Sequence, residues 1–143
     1  MKKTLALLLC LALVTLSLFS CGGAPRIQKE TWIFAVAVVD NNITHVSSAH
    51  TDAAPKGTPV IECTLTAKGG AITITDETNE KTYTGTYSDR EKINPSAADY
   101  RITFGRKKGK AVTSRGLNIS GTKETRTLTL YIDGYEILFA AAE

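Results

Sequence analysis

The sequence predicts an all-β domain: an antiparallel meander of about eight to ten strands behind an N-terminal signal helix, closed as a small barrel in preference to a two-sheet sandwich. Three observations lead there. From Thr31 onward no long run carries a helical period. Short runs rich in Val, Ile, Thr, Tyr and Phe recur instead, split by clusters of Gly, Asn, Asp and Lys. When neighbouring runs are folded onto each other as hairpins their apolar faces mostly coincide, and a meander with that many strands removes its exposed edges by closing.

The chain opens with Lys2 and Lys3, followed by "TLALLLCLALVTLSLF" from Thr4 to Phe19. That is about sixteen apolar or small residues, short of the roughly 20 a membrane-spanning helix needs. A basic start, a short apolar core and a small-residue end describe an export signal. Without its two lysines the chain has 15 basic against 14 acidic side chains, a net of +1. That balance gives no electrostatic case for a nucleic-acid partner.

"Leu18-Phe19-Ser20-Cys21" resembles the lipobox of bacterial lipoproteins, in which a small residue precedes the cysteine and an aliphatic one lies three before it. Leu18 and Ser20 match, while Phe19 is larger than is usual there. The resemblance implies diacylglyceryl transfer to Cys21, cleavage before it and N-acylation, hence attachment to a membrane through lipid. Two or more acyl chains make such an anchor durable. By the same analogy Gly22 permits placement in an outer membrane, at a cell surface or in the outer leaflet of a plasma membrane, according to the envelope. The expected divisions are a signal peptide over 1–20, a lipidated N-terminus and tether over 21–30, and the β domain over 31–143. With Cys21 occupied and Cys10 removed, Cys63 has no intrachain partner, so the domain depends on its core. About 113 residues can bury roughly 60–70% of their unfolded surface, which is sufficient.

The first strand, "TWIFAVAVV", is apolar on both faces, as expected of a strand covered on both sides or lying at a barrel corner. "ITHVSS", "TPVIECTLTA" and "AITIT" follow. An even loop between "AITIT" and "KTYTGTYS" sets Ile74 against Tyr83, Ile72 against Gly85 and Asp76 against Lys81. Between "DYRITF" and "KAVT" an odd loop over Gly105–Gly109 sets Ile102 against Val112. An even loop after "GLNIS" sets Ile119 against Leu128 and Leu117 against Leu130. Finally Asp133-Gly134, a strong two-residue turn signal, sets Ile132 against Tyr135, Leu130 against Ile137 and Leu128 against Phe139. Trp32, in Glu30-Thr31-Trp32, resembles the G-x-W motif on the first strand of lipocalin-like proteins, with glutamate in place of the glycine. With the meander, this implies a lipocalin-like barrel.

In such a barrel Tyr83, Gly85 and Tyr87 point inward with Ile72 and Ile74. Gly85 either leaves room between the two rings or marks a bulge or tight bend. Together with Trp32 and Tyr100 these are the candidate ligand-binding residues, for a small apolar ligand or an envelope component. The competing expectation is a structural or interaction module whose interior is filled by side chains. No cofactor motif is present, and His45 and His50, five apart, do not fix a metal-ligand geometry. No serine sits in a G-x-S-x-G setting, so no enzyme is expected. Cys63 shares a face with Ile61 and Leu65 and reads as a buried inert thiol. "GRKKGK" reads as a solvated, aggregation-resistant turn, or as a contact for anionic lipid.

Overall fold

A computed structural model describes residues 23–117 and 123–143. Cys21 and Ile119 therefore lie outside the described residues. Among the described residues nine strands form one antiparallel sheet: β1 (Trp32–Val39), β2 (Asn42–Val46), β3 (Cys63–Lys68), β4 (Ala71–Asp76), β5 (Lys81–Asn94), β6 (Ala97–Phe104), β7 (Lys107–Leu117), β8 (Glu124–Ile132) and β9 (Tyr135–Ala141). From β3 onward each strand pairs with the next in sequence, and β9 returns to pair with β1. Eight strands thus close a barrel, and β2 lies outside the ring as a hairpin partner of β1. The domain is the expected closed β meander.

Two hairpins take the registers read from the sequence. Ile132 faces Tyr135, Leu130 faces Ile137 and Leu128 faces Phe139, across a turn whose Asp133 and Gly134 both have positive φ. Ile74 faces Tyr83, Ile72 faces Gly85 and Asp76 faces Lys81, across the four-residue loop Glu77–Glu80. Two other registers differ. β6 and β7 join through the two-residue turn Gly105–Arg106, so Ile102 faces Gly109 and Val112 pairs with Asp99. "KAVT" and "GLNIS" are not separate strands, since β7 is continuous to Leu117. On β8, Leu130 faces Ala111 and Leu128 faces Thr113, while Leu117 faces Glu124. A narrow barrel sets large side chains against small ones so that its layers fit, whereas the sequence reading paired large with large.

β1 explains its two apolar faces by a bulge. Pairing with β9 runs from Phe34–Phe139 to Val36–Leu138, leaving Ala35 as the extra residue. Before the bulge Trp32 and Phe34 are buried; after it the buried position moves to Ala37. β1 also divides its other edge: Trp32 and Ile33 pair with β3, whereas Val36–Val39 pair with β2. The chain before β3 fills the gap, since Val46 N–H donates to Pro59 O and Ile61 N–H donates to Val46 O, each at 3.0 Å.

One end of the barrel is plugged. A short 3-10 turn, Ile27–Lys29, places Ile27 at 0% exposure beneath the strands. Trp32 Nε1–H donates to Ile27 O at 2.9 Å, and Ile27 N–H donates to Tyr100 Oη at 3.2 Å. Thr113 Oγ1–H donates to Pro25 O at 2.7 Å, and Arg126 pairs with Glu30. Ala24, Pro25 and Ile27 are buried, so the run expected as a tether is held in the barrel end from Ala24 on, with Arg26, Gln28 and Lys29 left exposed. Ile27 joins Trp32, Leu65, Ile72, Ile102 and Leu128 in one fully buried core.

Candidate functional site

The opposite end of the barrel is open. A cavity of about 330 Å³ enters there, where β1, β4, β6 and β8 end and β3, β5, β7 and β9 begin. Its floor is the Phe34–Phe139 pair, edge to face with centroids 5.9 Å apart, together with Leu130. Its walls are aliphatic and aromatic: Ala37, Ile61, Ile74, Phe104, Ile132 and Ile137. These residues face inward because they continue the core faces of their strands past the last complete core layer.

Polar groups ring the mouth. Asp76 ends β4, and both its oxygens accept bonds from Asn79, one from the backbone N–H and one from Nδ2, each at 2.9 Å. These bonds hold the Asp76 carboxyl below its ordinary range, so it stays ionised although its turn covers it to 7% exposure. Lys107, at the start of β7, pairs with Asp133 of the β8–β9 turn, and this pairing raises the lysine pKa. Tyr83 and Tyr135 stand at the rim, 48% and 41% exposed. His45 also lines the cavity, with Nδ1 at 3.2 Å from Thr44 Oγ1.

Cys63 contributes its thiol to the cavity wall and is 7% exposed. Burial first, then the charges of Asp76, Glu62 and Glu77, push its pKa up to about 11. A thiol with that pKa is almost wholly protonated at neutral pH and is not an activated nucleophile.

Of the residues singled out from sequence, Tyr83 lines this cavity. Trp32 and Tyr100 belong to the plugged end through their bonds to Ile27. Tyr87 packs edge to face on Tyr100, with centroids 6.0 Å apart. Gly85 is inward, but the space over it is occupied: a Cβ there would meet Thr103 O at 2.3 Å and the Phe104 ring at 2.8 Å. The five candidates therefore divide between the two ends of the barrel. Phe34, Ala37, Ile132, Tyr135 and Ile137 carry the cavity without having been singled out. Their available signal was position, since Ala37, Ile132, Tyr135 and Ile137 lie in the open halves of their strands and Phe34 faces Phe139 at the floor.

Among the described residues one serine lies within reach of a histidine, with Ser47 Oγ 2.9 Å from His50 Nδ1. Ser47 is 2% exposed at the head of the Ser48–Ala53 turn, and neither residue lines the cavity. Among the described residues no group of three or more His, Cys, Asp or Glu side chains is placed to hold a metal ion. The site is an apolar cup with a charged, hydrogen-bonding rim, which suits reversible binding of a small molecule that buries its apolar part and keeps a polar end at the mouth. No family model matches the chain, and no curated protein or solved structure matches it either.

Proposed function

We propose that the protein is an exported lipoprotein, anchored in an envelope membrane through Cys21, whose barrel binds one small, largely apolar molecule without chemical turnover. The cavity is the observation that carries the binding reading: about 330 Å³, open at one end and walled almost entirely by apolar side chains. Its volume lies at the lower end of the roughly 300–1,000 Å³ usual for ligand sites, which favours a single ring or a short chain. The anchor reading rests on the Lys2-Lys3 start, the short apolar run and Leu18–Cys21. Among the described residues no helix is long and apolar enough to cross a membrane.

Two measurements test this. The intact mass of protein purified from membranes reads the acyl groups on Cys21, and an unmodified cysteine there removes the anchor. Titration with an apolar fluorophore, 1-anilinonaphthalene-8-sulfonate, reads the cavity. Ala37 is 5% exposed on the wall, and Ala37→Phe fills the cup from the side. It should weaken binding about tenfold or more, the equivalent of roughly 1.4 kcal/mol, with Trp32 emission unchanged. Equal binding by both proteins places the fluorophore elsewhere and leaves the packed-module reading as the better one.

A further inference from the structure

We infer that the plugged end of the barrel is the face held against the membrane, so that the ligand mouth points away from the lipid surface that carries the anchor. The inference rests on the lipoprotein reading of Cys21 and adds to it a direction. Cys21 and Ala24 are three residues apart. A fully extended chain covers about 3.3–3.6 Å per residue, so roughly 11 Å is the greatest separation. Ala24 is not free to swing. It is 6% exposed, and its carbonyl accepts a 3.0 Å bond from Arg90 Nη2. The next residue, Pro25, is held by Thr113, and Ile27 is locked between Trp32 and Tyr100. A lipidated Cys21 sits with its glyceryl linkage in the headgroup layer, about 5–8 Å deep per leaflet, and its acyl chains in the hydrocarbon. The plugged end is thereby kept within about a Debye length, roughly 8–10 Å, of the headgroups.

The surface at that end suits such a neighbour. Arg26, Lys29, Lys68, Arg90 and Lys92 are exposed there. Glu30, Glu124 and Glu143 are each engaged in ion pairs, with Arg126, Arg115 and Lys123. Glu91 and Asp99, opposite one another on β5 and β6, offset part of this charge. β5 continues past the plug to Asn94, and its pairing with β6 skips Ile93, between Lys92–Ala98 and Asn94–Ala97. The bulge turns Ile93 outward at 53% exposure, the most exposed large apolar side chain among the described residues. An outward isoleucine beside Lys92, three residues from Arg90, combines apolar insertion with attraction to anionic headgroups. At the mouth Lys107 is neutralised by Asp133, and the exposed Lys81, Arg106 and Lys108 stand beside the exposed Glu77 and Glu80, with no outward isoleucine among them.

The test uses the acylated full chain, carrying Cys63→Ala, in vesicles of phosphatidylcholine and phosphatidylglycerol that contain a headgroup nitroxide lipid. A single environment-sensitive fluorophore is attached through Ile93→Cys or through Arg106→Cys in the β6–β7 turn. Lys92→Cys supplies a second position at the plugged end in case the bulge does not tolerate a label. The expected result is loss of fluorescence at 93 and 92 and none at 106. Loss at 106 with none at 93 or 92, or no loss at any position, in protein whose mass shows acylated Cys21, overturns the inference alone. A mass showing bare Cys21 overturns the lipoprotein reading and the inference with it.

Discussion

Gly85→Ala is the sharpest test of how tightly the barrel wall is built. The new Cβ would lie 2.3 Å from Thr103 O and 2.8 and 2.9 Å from two carbons of the Phe104 ring. The ring can rotate away, but the carbonyl belongs to the β5–β6 ladder, where Thr86 pairs with Thr103. Restoring an ordinary contact requires the two strands to part by about 1 Å, against a normal spacing of roughly 4.8 Å. Overpacking of this kind costs about 1–3 kcal/mol, and a backbone obstacle places it at the upper end. Replacing glycine in a strand returns about 0.5–1 kcal/mol through the unfolded chain. The net expectation is a loss of about 2 kcal/mol, which lowers Tm by roughly 6–10 °C for a domain of this size. Urea unfolding followed by Trp32 emission measures it, since Trp32 is the sole tryptophan and is fully buried. Gly116→Ala is the control: it too lies in a strand, but nothing stands within 4 Å of its Cβ, so stability should hold or rise by up to about 1 kcal/mol. Adding Phe104→Ala should not restore Gly85→Ala, because the Thr103 carbonyl remains. A Gly85→Ala protein as stable as Gly116→Ala would refute the reasoning.

Three further outcomes are expected. Cys63, buried and with its pKa pushed up to about 11, should react with iodoacetamide at pH 8 about a hundredfold more slowly in the native protein than in urea; equal rates would place the thiol in solvent. Asp76 has its pKa lowered by Asn79, so its stabilising contribution is present above the unfolded value of 3.8 and is lost as pH falls through the lower folded value. Asp76→Asn should therefore flatten the fall in urea midpoint below about pH 4, and an unchanged acid limb would count against that role. Thr113→Val keeps the side-chain shape but leaves the buried Pro25 carbonyl without its 2.7 Å donor, a loss of about 1–3 kcal/mol by urea unfolding.

The sequence made the outer half of the fold legible and left the plug and cavity obscure. Asp133-Gly134 ties turn chemistry to face parity, so one register satisfied both. Between β7 and β8 no such turn constrained the pairing, and the most apolar match was six residues out in register sum, although its even parity was right. Gly109, Ala111 and Thr113 are inward because β8 brings Ile132, Leu130 and Leu128 to the same layers. Small residues opposite large ones carry little periodic signal in a single strand. Ala35 defeats periodicity in another way, since a bulge exchanges the faces midway along β1. The plug was invisible because Pro25 and Ile27 are fixed by bonds from Thr113 and Trp32, 88 and five residues away. The cavity emerges where the inward faces of the strands run past the core without a second plug, which no single segment expresses.

The β1–β9 seam also governs when the barrel can exist. Trp32 meets Ala141, and Val39 meets Tyr135, so the ring is closed by the first and last strands of the domain. Closing so long a loop is slow because its entropy must be spent before any contact across the seam forms. Synthesis from the N-terminus delivers β1 early and β9 last. Until then β1 and β8 present bare edges able to pair with another chain. A chain truncated before Tyr135 therefore lacks more than one strand: it keeps two adhesive edges that the complete chain removes in a single step.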